Sequence, residues 1–165
     1  MITTRPVEVG DMTEGGPAVT LLAAVLGGRR QVRLGEAVDV LDLPGFAAVD
    51  STGGGRLVGV ATWSAERGKF ACLGVAANVR RRGVGSMLVG AVVDAARRLG
   101  LERLWLTTTN DNVPALALYQ RCGFRITRVV VGGVDQARKL KPSIPLIGAH
   151  GIPIHDELVL EIALH

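Results

Sequence analysis

Three arginines and two glycines stand together in one short run, Arg80-Arg81-Arg82-Gly83-Val84-Gly85, followed by Ser86. Glycine lets a backbone turn tightly and approach a ligand closely. If a helix begins directly after the run, its free N–H groups and its dipole add to the arginine charges. This combination predicts a binding site for an anion, and a pyrophosphate fits it well.

Two common phosphate-binding loops do not match this run. The Walker A pattern ends in Gly-Lys-Ser/Thr, whereas Gly85 is followed by Ser86 and Met87. The dinucleotide fingerprint needs a third glycine where Leu88 stands. The run by itself leaves one structural alternative open, a glycine turn that carries solvated arginines.

Secondary-structure patterns place the run between a strand and a helix. Apolar residues at helical spacing predict a helix over 86–99 that Gly100 ends, and a short apolar strand over 70–75 precedes the run. The remaining pattern predicts strands at 2–9, 46–49, 57–62, 103–108, 124–131 and 157–164, and helices at 18–26, 32–41 and 114–121. This order predicts a mixed α/β sheet.

Length and composition indicate one globular domain over 1–165. Hydrophobic residues make up 48% and charged residues 21% of the chain, which is an ordinary globular mixture. Charges or glycines interrupt every apolar run, so no membrane span is expected, and residues 1–10 do not resemble a secretory signal. Two cysteines are too few for a disulfide scaffold. We therefore expect a cytoplasmic protein.

The positive charge is concentrated in one part of the chain. The net charge is +4, and residues 79–104 alone carry six basic and two acidic side chains. One focused cluster indicates an anionic ligand rather than nucleic acid, and an aromatic content of 4% leaves few platforms for stacking bases. A nucleic-acid binder that uses the three arginines stays as a rival interpretation.

A second motif follows the next predicted strand and carries the resemblance to a known family. It contains Asn112, Ala115, Tyr119, Gly123 and Phe124 in an Asn-x-x-Ala-x-x-x-Tyr-x-x-x-Gly-Phe pattern. Together with Leu73-Gly74-Val75 and an Arg-x-x-Gly-x-Gly motif at Arg80, Gly83 and Gly85, it resembles the GNAT superfamily of acyl-CoA-dependent N-acyltransferases. The resemblance covers residues 46–124.

The resemblance implies a GNAT-like fold with a central mixed sheet of six to seven strands and about four flanking helices. The fourth and fifth strands of that sheet splay apart, and the pantetheine arm of acetyl-CoA lies in the gap. The backbone of Leu73, Gly74 and Val75 would pair with pantetheine, and Asn112 would bind it while the small Ala115 leaves room. The N–H groups around the first motif would hold the pyrophosphate, which assigns Arg80, Arg81, Arg82, Gly83, Val84, Gly85 and Ser86 to cofactor binding.

The implied activity is transfer of an acetyl group from acetyl-CoA to a primary amine of a small molecule or a protein, without a metal. The amine attacks directly, and the tetrahedral oxyanion takes a backbone donor near Val75. Tyr119 would contact the cofactor and give the departing thiolate a proton or a hydrogen bond. A core tyrosine at 119 and a helix cap at Asn112 are the structural alternatives.

The general base is not evident. Many relatives carry a glutamate on the fourth strand, and residues 69–73 contain no carboxylate. Substitutes are Glu66, His155, Asp156 and Glu157, in part through water. Cys72 could serve a ping-pong route, although a buried strand cysteine is usually a small apolar residue. The missing glutamate also permits a sensor module that binds acyl-CoA without turnover.

The acceptor side is predicted from the late loop, residues 141–156, which is apolar and contains three prolines and two glycines. We expect it to form one wall of the acceptor pocket or a subunit interface, and a homodimer is left open; a loop folded onto its own sheet is the alternative. His150 and His155 have no third ligand for a metal. Acidic residues that could attract a cationic amine, unless they form a solvated face, are Glu14, Glu36, Asp39 and Asp42.

Overall fold

Seven strands form one mixed sheet in the computed structural model, which describes residues 1–165 apart from the side chains at positions 53 and 77. In spatial order the strands are β1 (Ile2–Pro6), β4 (Gly45–Asp50), β5 (Arg56–Ser64), β6 (Lys69–Val75), β7 (Arg103–Thr109), β9 (Glu157–Ala163) and β8 (Arg125–Val130). A separate antiparallel hairpin consists of β2 (Arg30–Arg33) and β3 (Glu36–Asp39). The strand number and the mixed pairing confirm the predicted fold class.

Helices cover both faces of the large sheet. They are α1 (Val9–Met12), α2 (Pro17–Leu26), α3 (Val84–Arg98), α4 (Val113–Arg121) and α5 (Gly133–Leu140). Ala18 and Leu22 of α2 join one buried cluster, whereas Leu88 of α3 and Tyr119 of α4 join a second cluster on the opposite face. Four helices of eight residues or more therefore flank the sheet, as the resemblance implies. In the described part of the chain, no helix has the length and apolar character that crossing a membrane requires.

The sheet splays between β6 and β7, which are its fourth and fifth strands in chain order. These strands run parallel and pair at one position, Lys69 with Trp105. The Trp105 N–H donates to the Gly68 carbonyl at 2.9 Å. Beyond this point the strands separate, while β6 stays paired with β5 as far as Val75. The predicted gap is therefore present, and it opens toward the end of β6 that leads to the arginines.

Two regions differ from the sequence-based prediction. The helix predicted over 32–41 is wrong, because this segment forms the β2–β3 hairpin. Leu34 and Gly35 have φ values of 49° and 79°, the left-handed pair that a tight two-residue hairpin turn needs. The second difference is α5, which the sequence does not predict because the helix begins at Gly133, directly after Gly132, and buries only Gly133, Val134 and Ala137.

Candidate active site

The arginine–glycine turn connects β6 to α3 and has the backbone of an anion site. Gly83 is the N-cap of α3 with a φ of 79°, and Arg81 has a φ of 66°. A left-handed backbone at a non-glycine residue costs about 1–2 kcal/mol and often marks a functional turn. A glycine cap has no side chain to bind the helix start, so the N–H groups of 84–86 remain available. The side chains of Arg80, Arg81 and Arg82 lie exposed beside them.

Gly85 of the motif packs closely against α4. A Cβ at this position would lie 2.9 Å from Cδ2 of Leu118 in α4. A side chain at residue 85 would therefore require the end of the Leu118 side chain to move. The contact fixes the anion turn relative to the residue that follows Leu118, which is Tyr119.

The free edge of β6 faces the gap. Leu73, Gly74 and Val75 pair with β5 along one edge, and β7 does not pair with their other edge. A Cβ on Gly74 would lie 3.1 Å from Leu22 and 3.2 Å from Val25, so this strand also packs tightly under α2. An extended ligand can bind such an edge as an added strand. The strand residues predicted to bind pantetheine therefore share one edge next to the anion turn.

The start of α4 closes the other side of the gap. The Asn112 side-chain oxygen accepts a hydrogen bond from the Ala115 N–H at 3.3 Å, so Asn112 is the helix cap. Ala115 is partly buried against the same apolar cluster as Tyr119, one turn further along. The cap orients α4, and a cofactor contact by Asn112 stays a prediction.

Tyr119 is held rigidly within an aromatic cluster. Its exposed fraction is 7%, and its ring makes edge contacts with Phe70 and Phe124 at centroid distances of 6.2 and 5.8 Å. Burial raises the pKa of its hydroxyl, which is therefore protonated at neutral pH. The hydroxyl makes no hydrogen bond to any residue that the structure describes, so it can donate to a ligand.

A cavity of about 520 Å³ opens beside the end of β7. The C-terminal end of α2, strand β2, the β7–α4 junction, α5 and the late loop form its walls. Its lining includes Leu26, Val32, Thr109, Asp111, Asn112, Ala137, Ile144 and Ile147. The late loop thus lines one wall of this cavity, which is where an acceptor pocket was expected.

The late loop is fixed to the rest of the molecule. The Arg138 guanidinium donates to the carbonyls of Pro145 and Ile154, both at 2.6 Å. The Asn110 side-chain oxygen accepts the N–H groups of residues 155 and 156, both at 3.0 Å. A Cβ on Gly148 would overlap the Asp111 carboxylate, so the loop lies directly against the β7–α4 junction.

Two buried carboxylates line the cavity. Glu157 is 2% exposed, and its oxygens accept the Leu34 N–H at 3.1 and 3.3 Å. Asp111 is 8% exposed and accepts the Thr109 hydroxyl at 2.5 Å. Glu157 is one of the four predicted substitutes for the missing strand glutamate, whereas Asp111 was missed because it resembles an ordinary turn residue.

The other three candidate bases lie outside the cavity. Glu66 is exposed in the β5–β6 turn. The exposed His155 ring nitrogen lies 3.5 Å from Asp135. Asp156 accepts the Gly132 N–H at 2.8 Å near the start of α5. Burial and position therefore single out Glu157.

The acidic residues of the N-terminal part do not form the cavity wall. Glu36 pairs with Arg67 at 2.8 Å, and Arg29 binds Asp39 and Asp42 at 2.8 and 3.3 Å. Glu14 is exposed. These carboxylates are surface or hairpin ion pairs, so the prediction that they attract an amine has no support from their positions.

Sequence reasoning also missed two basic side chains that line cavities. Arg33 at the end of β2 lines the large cavity and, together with Lys69 of β6, a smaller cavity of about 100 Å³ under the hairpin. Lys69 could have been noticed as a lysine within an apolar strand. Arg33 could not have been noticed in this way, because the sequence pattern predicts a helix over 32–41.

Neither cysteine has the environment of a nucleophile. Cys72 is buried with its sulfur 3.3 Å from the Thr62 hydroxyl, and burial raises the pKa of the thiol. A buried neutral thiol is a poor nucleophile, so the structure does not favour a ping-pong route. Cys122 is the partly buried C-cap of α4. No metal-binding group of three side chains occurs in the part of the chain that the structure describes.

Comparisons with known proteins identify the family. A model of the acetyltransferase (GNAT) family matches residues 33–124. The uncharacterized protein YxbD of Bacillus subtilis (strain 168) is 38% identical over 105 residues, which cover 64% of this chain and 66% of that protein. The chain thus spans just under two thirds of the length of that relative.

Solved structures show the same fold. The IAA acetyltransferase from Bacillus cereus ATCC 14579 superposes with a TM-score of 0.76 at 24% identity, covering 99% of this chain and 100% of that one. A GNAT family acetyltransferase from Elizabethkingia anophelis with acetyl-CoA bound gives a TM-score of 0.73 at 21% identity, covering 99% and 98%. The family match extends over more than half of the chain. The predicted enzyme class, an acyltransferase, is therefore confirmed, and the chain belongs to the acetyltransferase (GNAT) family.

Proposed function

We propose that this chain transfers an acetyl group from acetyl-CoA to a primary amine by direct attack. The observation that carries the proposal is the splay between β6 and β7, which leaves a free strand edge between the anion turn and Tyr119. An extended chain with a pyrophosphate at one end and a thioester at the other fits this order. The similar GNAT structure with acetyl-CoA bound supports the same cofactor.

The residues of the gap would hold the cofactor along its length. The backbone edge at Leu73, Gly74 and Val75 would bind the pantetheine arm as an added strand. The N–H groups of 84–86 and the exposed arginines would bind the pyrophosphate at the start of α3. Bound there, acetyl-CoA supplies the activated acyl group.

Transfer then needs three contributions from the chain. The amine nitrogen forms a bond to the thioester carbonyl carbon, and the oxyanion takes a hydrogen bond from the backbone near Val75. The C–S bond breaks, and the sulfur accepts a hydrogen bond from Tyr119. Because burial raises the pKa of Tyr119, it stabilises the thiolate mainly as a hydrogen-bond donor. The third contribution is removal of a proton from the amine.

We assign that proton to Glu157, taken up directly or through one water. Its carboxylate is buried in the cavity and holds only the Leu34 N–H among the described residues, so lone pairs remain for an ammonium. Glu157→Gln keeps an acceptor for that N–H and removes the base. We expect it to lower kcat about a hundredfold with acetyl-CoA affinity unchanged.

Acetyl-CoA binding and thiol release test this function together. Calorimetric titration of the protein with acetyl-CoA should show tight binding, with ATP as the control ligand. A panel of primary amines should then release CoA thiol at a rate that Tyr119→Phe lowers. Binding without thiol release on any amine would favour the acyl-CoA sensor instead. No binding at millimolar acetyl-CoA would exclude both functions.

Two further expectations remain proposals of the same kind. We infer a cytoplasmic enzyme from the low cysteine content. A homodimer through the late loop is suggested by Leu146 and Ile147, which are 72% and 59% exposed. Sedimentation of the wild type beside Leu146→Ser would test it.

A further inference from the structure

Two cations lie under the β2–β3 hairpin without a carboxylate partner. Arg33 is partly buried, and its Nη1 donates only weakly, to Gln31 Oε1 and to the Val32 carbonyl, both at 3.3 Å. Lys69 is 7% exposed, and its ammonium lies 4.6 Å from the centre of the Trp105 ring. Among the described residues, no carboxylate oxygen lies within 4.0 Å of either charge.

The neighbouring Arg67, in contrast, is both exposed to solvent and paired with a carboxylate. It lines the same small cavity, its side chain is 50% exposed, and it pairs with Glu36 at 2.8 Å. Arg33 and Lys69 have neither this exposure nor such a partner. Burial lowers the pKa of both groups, and the charges of Arg67 and Arg33 lower the pKa of Lys69 further.

Buried charges without partners destabilise a fold, because they lose hydration and gain no ion pair. Two carboxylates act on these charges: Glu36, already paired with Arg67, raises the pKa of Lys69, and Glu157 raises the pKa of both Lys69 and Arg33. The Glu157 oxygens already accept a backbone N–H. One negative charge against two positive charges leaves one positive charge without compensation. An anionic ligand would supply the missing charge.

The cavities place that ligand on the acceptor side. The small cavity is closed by Val38, Val40 and Ala71, so it suits a compact group at the end of a molecule. Arg33 lines both cavities and joins this end to the large one, where Glu157 lies.

One buried hydroxyl on this side of the sheet lacks a hydrogen-bond partner. The Thr107 Oγ1 atom is buried and has no hydrogen-bond partner among the residues described. Thr107 lies on the same face of β7 as Trp105, which contacts Lys69, and as Thr109, which lines the large cavity. Buried polar atoms without a partner are rare, and Thr107 itself lines neither of the two cavities.

We propose that the acceptor is an aminocarboxylate, an amine that carries a carboxylate, with the carboxylate bound between Arg33 and Lys69. Its amine then extends into the large cavity toward Glu157 and the thioester. This inference rests on the proposed acetyl transfer, and it names the substrate class of that same site. Such a molecule would offer a carboxylate to Arg33 and Lys69 and, at its other end, an amine that loses its proton to Glu157.

Matched acceptor pairs test this assignment. Each pair consists of an amino acid and its carboxamide, and the pairs differ in the number of carbons between the amine and the carboxylate, from one upward. Both members are assayed by thiol release with saturating acetyl-CoA. The acids should have the lower KM. Arg33→Met should raise the KM for the acid at least about thirtyfold, because it removes one partner of a buried charge pair, and leave the KM for the amide unchanged. Lys69→Met should act in the same direction.

The control variant is Arg30→Met, which removes an exposed arginine from the same strand and should change neither KM. Calorimetric binding of the acid to the CoA-loaded protein gives a second readout that needs no turnover. If the acid binds through Arg33 but no thiol is released, the anion site stands and acetyl transfer fails. If thiol is released equally from acid and amide, or if Arg33→Met affects both alike, the acceptor assignment is wrong. Preference for succinyl-CoA that depends on Arg33 would overturn it too, because the carboxylate would belong to the acyl donor.

Discussion

Gly83→Glu tests the anion turn most directly, because it places a carboxylate where the pyrophosphate should bind. The φ of Gly83 is +79°, and a Cβ there would have no heavy atom within 4 Å. The folding cost is therefore the left-handed backbone, about 1–2 kcal/mol. A carboxylate about 5 Å from a phosphate repels it by about 3 kcal/mol at an effective dielectric constant of 20. We expect acetyl-CoA to bind at least about a hundredfold more weakly.

Gly100→Glu is the matched control at the other end of the same helix. Gly100 has a φ of +75°, and its Cβ position is equally open. The two variants therefore impose the same backbone strain and the same added charge, and only residue 83 lies in the proposed site. Calorimetric titration with acetyl-CoA measures affinity, and thermal unfolding of the free proteins measures the strain.

The expected result is a loss of affinity in Gly83→Glu alone, with a loss of stability in both variants that is smaller in Gly83→Glu because the helix dipole favours a negative charge at the N-terminus of α3. Raising the salt concentration should reduce the difference in affinity, because the repulsion is electrostatic and partly exposed to solvent. An affinity of Gly83→Glu within threefold of the wild type would refute the assignment. Equal losses of affinity in the two variants would show that strain, not the anion site, is the cause.

The remaining predictions concern Tyr119, the late loop and the acid stability of the fold. Tyr119→Phe should lower kcat by about a hundredfold and leave acetyl-CoA affinity intact; because burial raises the pKa of Tyr119, its ionisation should not reduce wild-type activity below about pH 10. Gly148→Ala should destabilise the protein by about 1–3 kcal/mol, because the new methyl overlaps the Asp111 carboxylate. Gly90→Ala, which adds a methyl to open space, should not destabilise the protein. Equal unfolding midpoints of the two variants would contradict the packing argument. A hydrogen bond from the Arg5 guanidinium lowers the pKa of Asp11 in the folded protein. The ionised Asp11 therefore stabilises the fold fully above the ordinary aspartate pKa, and this stabilisation is lost as the pH falls through the lowered pKa of the folded state. Asp11→Asn should thus cost about 1–3 kcal/mol at pH 7 by chemical denaturation and almost nothing at strongly acid pH.

The sequence was sufficient to predict the local elements around the arginine–glycine turn and Tyr119. The turn at Gly83, the start of α3 and the position of Tyr119 on α4 depend on local patterns, which are glycines, helical spacing and a motif at fixed intervals. Local patterns of this kind are legible without knowledge of tertiary contacts. These are also the parts of the chain that the family model covers.

The acceptor side could not be predicted in the same way, because it is built from contacts between distant segments. The Leu34 N–H meets Glu157 across more than a hundred residues, and this contact places Arg33 in the cavity. The apolar residues over 32–41 give no clear periodicity, and the hairpin depends on the left-handed turn at Leu34 and Gly35. Tertiary packing therefore determines the structure of the segment that contains Arg33.

The absence of a glutamate from β6 explains why Arg33 and Lys69 have no carboxylate partner. A glutamate on β6 near Lys69 would pair with the cations and compete with a ligand carboxylate for them. In this chain the candidate base lies instead on β9, where Glu157 also anchors the hairpin through the Leu34 N–H. The base and the anion site can then act on the two ends of one acceptor without neutralising each other. For this reason Glu157→Gln, which keeps the hairpin contact, should change kcat, whereas Arg33→Met should change the KM of the acid acceptor.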